Sequence, residues 1–378
     1  MALLFGITVF ISLLYLSYPL WLLLLSPANE AKEVKAARID KVSLILLSFN
    51  GKNYLANKIR YLLAELKNFK DFELIIIDDK STDGSIELLR QFKQKSKIKV
   101  IVNEQHTGIP ASMNLGVKEA KFEHIVFCDQ RQDLTQNVIS KIIDPLRFEM
   151  VGAVSCSISS LDKDHHISFI RKHENYLKRN ESRAGNLMGV YGPLYAIKKE
   201  CYKPIPDDTI LDDLYLSLRI LKSKQIRILQ DYEVIDENMT MLYDYRRARR
   251  YLLGLLQILK DRTIYSELNL KQHIMLLWHK YLRLLIPVLA LLCYVNLGLA
   301  IFNSWLYALA FGLITGGLFL ALLPNRFQLQ FRFKNIIRLN VFYLLAFFDI
   351  LFNEIIPGLT RKSNTYPYSG TYTIKPLK

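Results

Sequence analysis

The sequence predicts an α/β domain built on a mostly parallel sheet and joined to α-helical transmembrane segments. Two observations carry the prediction. From Ser43 onward, short apolar runs alternate with stretches of helical spacing, and the apolar excess of the chain is concentrated at its two ends. A third observation bears on function: carboxylates and amides gather where the predicted strands finish.

Ser43-Leu-Ile-Leu-Leu-Ser48 is a short apolar run with polar ends, the pattern of a strand buried on both faces. Tyr54 to Leu66 has helical spacing, Glu73-Leu-Ile-Ile-Ile-Asp78 reads as strand, and Gly84 to Lys93 as helix. Ile98–Val102 is the third strand, Ala111 to Ala120 the next helix, and His124-Ile-Val-Phe-Cys128 the fourth strand. Strands that alternate with helices in this way form a parallel sheet with helices on its faces. Such sheets bind ligands beyond the carboxyl ends of their strands. Ser48, Asn50, Asp78, Asp79, Asn103 and Asp129 are expected there, and a buried sheet has no structural need of carboxylates at that edge.

The ends of the chain read differently. Ala2 to Leu25 carries no Asp, Glu, Lys or Arg, more than the ~20 residues a helix needs to cross a bilayer. A cleaved signal peptide is the competing reading, but no basic region precedes the apolar run, and the positive charges follow it at Lys32, Lys35, Arg38 and Lys41. The positive-inside rule then puts the amino end outside and the following domain in the cytosol. After His279, Lys280 and Arg283, the segments Leu284 to Phe302 and Trp305 to Leu323 form a candidate membrane hairpin, broken at Asn303-Ser304. A third stretch, Leu339 to Leu359, contains Asp349, Asn353 and Glu354, which are costly in hydrocarbon, so an interfacial or re-entrant helix is favoured over a full span. The expected layout is an anchor at 1–26, a cytosolic domain at 29–280, a hairpin at 284–323, an apolar helix at 339–359 and a cytosolic tail at 360–378.

Composition narrows the function. The 378 residues are 51% hydrophobic, too apolar for disorder, with a net charge of +15. The positive charges flank apolar spans instead of interleaving with aromatics on a soluble module, which argues against nucleic acid as a partner. Cys128, Cys156, Cys201 and Cys293 form no CxxC pair and no metal-ligand spacing, in keeping with a reducing compartment. GxxxxGK[ST], GxGxxG and HExxH are all absent, against a P-loop nucleotidase, a dinucleotide oxidoreductase and a zinc protease. His106, His165, His166 and His173 are expected on loops without a catalytic role.

Ser48-Phe-Asn50, Asp78-Asp79-Lys-Ser-Thr-Asp83-Gly-Ser85, Gly108 to Asn114, Phe127-Cys-Asp129 and Leu211-Asp212-Asp213 follow one another in an order and spacing that resembles family 2 glycosyltransferases with the GT-A, Rossmann-like fold. The resemblance covers nearly the whole soluble domain. It implies a nucleotide-sugar donor, UDP-linked by precedent, with Asp78 and Asp79 accepting hydrogen bonds from uracil and ribose. Ser48, Asn50 and Asn114 would lie in the same donor site. A turn and an N-cap account for Asp83 and Ser85 without any ligand, but not for two adjacent carboxylates after Ile-Ile-Ile.

Asp129 stands where the family has its DxD, whose carboxylates hold Mg²⁺ or Mn²⁺ on the donor diphosphate. Here the string is Asp129-Gln-Arg-Gln132, with Arg131 replacing the second Asp. One carboxylate can still ligate a cation that keeps waters and substrate oxygens, and Arg131 can itself meet the diphosphate. The resemblance makes Asp213 the general base of an inverting transfer and Asp212 its neighbour. Arg247-Ala-Arg-Arg250-Tyr251 compares with QxxRW, in which only the Arg is kept. It implies Arg250 and Arg247 at the diphosphate and Tyr251 near the acceptor. Gly189 to Tyr195 is similar to the small-residue segment behind the donor sugar.

The expected function is sugar transfer to a lipid-linked or polysaccharide acceptor in cell-surface glycan synthesis, beside membrane lipids. By family precedent the protein is integral to a bacterial inner membrane, with its catalytic domain in the cytosol and a homo-oligomer or a synthase partner allowed. A processive polysaccharide synthase and an inactive donor-binding subunit stand as alternatives.

Overall fold

A computed structural model describes residues 6, 13, 17–25, 37–92, 96–159, 165–236, 245–322 and 334–356. Most of the expected anchor at 1–26 and the whole tail at 360–378 lie outside these residues. Eight strands form one sheet in the order β3-β2-β1-β4-β7-β6-β8-β5. Its first half is the predicted one. β1 (Lys41–Ser48), β2 (Asp71–Asp78), β3 (Ile98–Val102) and β4 (His124–Asp129) are all parallel, with Ser48 opposite Asp78 and Leu47 opposite Asp129. That register sets three polar strand ends along one edge.

The intervening helices are α1 (Lys52–Leu66), α2 (Ser85–Arg90) and α3 (Ile109–Glu119). Leu55, Ile59, Leu62 and Leu66 of α1 recur at helical spacing and are fully buried, each worth about 1.5–3 kcal/mol of apolar burial.

The second half mixes directions. Beyond β5 (Asp133–Leu134) and α4 (Val138–Ile143), β6 (Val151–Ser159) is followed by α5 (His165–Arg183) and β7 (Leu194–Lys198). β7 runs antiparallel to both β4 and β6, while β8 (Gln225–Ile235) runs parallel to β6. The carboxyl ends of β4, β6 and β8 therefore share an edge with the start of β7. His165, His166 and His173 belong to α5, correcting their expected place on loops. The helical spacing of 165–183 is strongly amphipathic, but its many charges mask it in a linear reading.

α6 (Asp212–Ile220) opens on two carboxylates. α7 (Tyr245–Lys260) and the short α8 (Arg262–Tyr265) lead to α9 (Leu270–Leu276), which continues through a π-helical turn at Leu277–Leu282 into α10 (Arg283–Leu299). α11 (Trp305–Leu322) folds back on α10, with Tyr294 stacked on Phe311 at 4.8 Å and bonded to Thr315 at 2.8 Å. α12 (Lys334–Ile350) ends in a π-helical turn at Leu351–Ile355 and packs along α7.

Among the described residues, no single helix is long and apolar enough to cross a membrane, although Leu270–Leu282 and Leu284–Leu299 pass together as a pair bent by 50°. The helical residues 17–24 do not stand apart from the domain. Tyr18 and Leu22 are buried in its core, Tyr18 donates to Glu181 at 2.5 Å, and His279 bonds both Glu181 and Glu174.

Candidate active site

The sheet edge carries two groups of carboxylates in contrasting surroundings. In the first, Asp78 ends β2 fully buried. Its Oδ1 accepts from the Ser81 amide at 2.8 Å, and its Oδ2 from the hydroxyls of Ser48 at 3.1 Å and Ser81 at 2.8 Å. Asp79 Oδ1 accepts from the Asn103 amide group, the Thr107 N–H and the Thr107 hydroxyl, at 2.8–3.0 Å. Its Oδ2 takes the Gly108 N–H at 2.8 Å and lies 2.7 Å from His106 Nδ1. Each oxygen has about two lone-pair sites, so Asp79 is filled by the loop between β3 and α3, while Asp78 keeps room at Oδ1.

Asn50, held at φ 48°, links the neighbouring loops: its Oδ1 accepts from Thr82 N at 2.8 Å, and its own N–H donates to Ser81 at 2.8 Å. Gln130 Nε2 donates to the Phe49 carbonyl, and its amide lies flat on Gly51, where a Cβ would meet Gln130 Cδ at 2.1 Å. A Cβ there would displace the Gln130 amide. The exposed Phe49 ring stacks on His106 with centroids 4.3 Å apart. Asn114, by contrast, points away from this edge. Its side chain accepts from Tyr202 and the Ile205 N–H and donates to the Ile205 carbonyl, pinning α3 to residues 202–205.

The second group meets where β4, β8 and α6 converge. Asp129 ends β4, with its N–H on the Pro193 carbonyl at 2.9 Å. Burial, with Asp213 and Asp236 acting as like charges, pushes its carboxyl up to about 6 against the pull of Arg131 and Lys58. Asp212 and Asp213 occupy the first turn of α6, where the helix dipole favours carboxylate. Burial and the adjacent Asp213 charge overcome that preference and push Asp212 up to about 7, Arg250 pulling the other way. Asp213 Oδ1 accepts from the Leu214 N–H at 2.7 Å. Beside its Oδ2 lies Gly192, where a Cβ would stand 3.8 Å away.

The arginines lie in different surroundings. Arg250 donates to the Ile210 carbonyl at 3.2 Å, two residues before Asp212. Arg247 lies within electrostatic reach of Arg171 and Arg250 as like charges and of Asp236 as an opposite one. Tyr251 packs edge-on against Tyr343 of α12, 6.4 Å between centroids. Arg131 is exposed and lines a cavity of about 330 Å³ with Asn53, Asn57 and Lys58.

The fold therefore brings together Asp129, Asp212, Asp213, Arg247 and Arg250. It gathers Ser48, Asn50, Asp78 and Asp79 beside them and sets Asn114 apart. Asp236, Phe49, His106 and Lys178 were missed from sequence. Asp236 directly follows β8, so the strand-end logic that found Asp129 applies to it once β8 is recognised. Lys178 lies buried 3.9 Å from the centre of the Tyr191 ring, donates to the Gly189 carbonyl and is pushed down to about 7 by burial. Among the described residues, no three His, Cys, Asp or Glu side chains close on one point as a metal cage. Asp129, crowded by carboxylates and lacking a full ligand set, fits a cation that arrives with substrate oxygens.

Residues 43–204 match the sequence model of glycosyl transferase family 2. The chain is 23% identical over 219 residues to the poly-β-1,6-N-acetyl-D-glucosamine synthase of Staphylococcus epidermidis, covering 55% of this chain and 51% of that protein. It is 35% identical over 89 residues to a cholesterol galactosyltransferase of Borreliella burgdorferi, 24% of either chain. The chain thus spans about half the length, or less, of these curated relatives. A mannosyltransferase from Pyrobaculum calidifontis, solved with GDP-mannose and Mn²⁺, superposes with a TM-score of 0.70 at 18% identity, covering 93% of this chain and 99% of that one. That likeness establishes a GT-A-like fold.

Proposed function

We propose that the protein is an inverting glycosyltransferase, a reading supported by the match of residues 43–204 to the glycosyl transferase family 2 model. It moves a sugar from a nucleotide-sugar, UDP-linked by our reading, to a hydroxyl of a lipid-linked or glycan acceptor at a membrane surface. One observation carries the proposal. Asp129, Asp212 and Asp213 lie within electrostatic reach of one another beside Arg250, and the carboxyls of Asp129 and Asp212 are pushed up to about 6 and about 7.

The division of labour follows from these environments. The exposed Phe49–His106 stack suits the donor base. Asp213 accepts the acceptor proton as the hydroxyl oxygen bonds to the anomeric carbon and the bond to the diphosphate oxygen breaks. Asp212 lies beside it, its own carboxyl pushed up by burial and by the Asp213 charge. Arg250, with Arg247, neutralises the departing diphosphate. A Mg²⁺ or Mn²⁺ ion, when bound, adds positive charge at the same oxygens, and Asp129 is the residue that would hold it.

Membrane attachment is part of the proposal. Phe302, Trp305, Leu313 and Phe319 expose most of their side-chain area on α11 and its preceding turn, a surface that suits lipid. The test is nucleoside diphosphate release by the full chain in nanodiscs across a panel of nucleotide-sugars. Turnover with one donor supports the reading; no release from any donor, with nucleotide still bound, sinks it in favour of a binding subunit. Analysis of product length decides between single addition and the processive synthesis that the poly-N-acetylglucosamine synthase relative suggests.

A further inference from the structure

α7 has two working faces. Toward the sheet domain it presents Arg250, Gly254 and Gln257 at helical spacing, and all three press on the segment that leads into Asp212. Arg250 donates to the Ile210 carbonyl, and Gln257 accepts from Ile210 N–H at 2.9 Å and donates to the Asp208 carbonyl at 3.0 Å. Gly254 lies so close to Leu211 that a Cβ would meet its Cγ at 2.4 Å. The opposite face carries Ala248, Leu252 and Leu253, packed on Phe342, Ala346 and Ile350 of α12.

One polar contact locks that apolar seam. Arg249 Nε donates to Asp349 at 2.6 Å, and its Nη2 donates to Glu354 at 3.0 Å. Asp349 also accepts from Asn353 at 2.8 Å. The guanidinium is only 23% exposed and the two carboxylates 27% and 38%, so this forked pair is partly shielded from water. An apolar helix has no packing reason to carry two acids one turn apart. A seam of Leu, Ala and Phe can slide by a turn; a guanidinium held by two carboxylates cannot.

We infer that Arg249 is a positioning residue: its fork onto Asp349 and Glu354 fixes the register of α7 on the C-terminal helix, and through α7 sets Arg250 and the 208–211 segment against the carboxylates of the site. The apolar C-terminal helix is therefore a working part of the donor site as well as a candidate membrane element. The inference rests on the reading of Arg250 as a diphosphate ligand.

The test uses the full chain in detergent, comparing Arg249→Gln, Arg249→Lys, Asp349→Asn/Glu354→Gln and the triple variant. Donor KM and nucleoside diphosphate affinity are expected to weaken about 10-fold in Arg249→Gln, with kcat changed far less. Arg249→Lys recovers part of the loss, and the triple variant is no worse than Arg249→Gln alone, because both sets of changes break one contact. Hydrogen exchange at 208–211 and 245–251 quickens in Arg249→Gln. A loss of kcat at unchanged KM, additive losses in the triple variant, or unchanged exchange would each overturn the inference. Wild-type protein that releases no nucleotide from any donor would overturn the transferase reading instead, while the exchange measurement still decides the positioning role.

Discussion

Asp79, just past the end of β2, and Asp213, in the first turn of α6, are the same side chain, yet the protein surrounds them oppositely. Asp79 receives five contacts from the loop between β3 and α3, so its charge is consumed in holding that loop. Asp129 and Asp212 lie buried within electrostatic reach of Asp213, and burial together with that like charge pushes their carboxyls up toward neutrality. A filled carboxylate organises a binding surface; a crowded one is ready for a proton or a cation. Strand ends alone did not distinguish these two uses, because the deciding donors come from loops.

The largest effect expected to sharpen the contrast is cation removal. EDTA should lower nucleotide release at least ~100-fold, since a cation contributes several kcal/mol at a developing diphosphate charge. Mn²⁺ or Mg²⁺ restores it, and turnover unaffected by EDTA would leave charge neutralisation to the arginines. Next comes Asp79→Ala, which strands several donors together. A destabilisation of ~3 kcal/mol is expected in denaturant unfolding, together with a raised donor KM. An unchanged midpoint would contradict the holding role.

A smaller effect is the pH dependence of turnover. The Asp212 carboxyl takes up a proton near pH 7, so kcat/KM should fall as pH drops through that value. Asp212→Asn removes the like charge, and the acid limb should move to lower pH; a limb that stays in place assigns it to another group. The smallest effect concerns stability. The Asp129 carboxyl is raised in the folded state, so its contribution is fully present below about pH 4 and lost as pH rises through about 6. In EDTA, Asp129→Asn should therefore melt above wild type at pH 8 by an amount of order 1–3 kcal/mol and match it near pH 4. Equal melting at both values would mean that the crowding of Asp129 is relieved in solution.

Much of the first half of the domain was legible in the sequence. β1 to β4 are continuous apolar runs closed by polar residues, and a residue at a strand end is placed by the strand itself. Asp78, Asp79 and Asp129 were placed for that reason, whereas Asp212 and Asp213, which open α6, were singled out by their resemblance to the family's motif. The second half was harder. β8 is only half buried and bulged against β6, so its pattern is irregular and Asp236 at its end went unseen. α5 hides its buried face among charges. The engagement of Asp79 by residues 103–108 depends on a loop conformation that no local pattern specifies. Arg249 and Asp349 stand 100 positions apart, and their pairing exists only once α7 and α12 are side by side. The acids in the C-terminal apolar stretch, read from sequence as unfavourable in hydrocarbon, find their partner there.

The central claim is that the crowded carboxylates perform the transfer. Its most direct test is Asp213→Asn, assayed in parallel for nucleotide release and nucleoside diphosphate binding. A loss of ~10²–10⁴-fold in kcat with nucleotide affinity retained is expected. Turnover equal to wild type would remove Asp213 from the mechanism and contradict the assignment of this site.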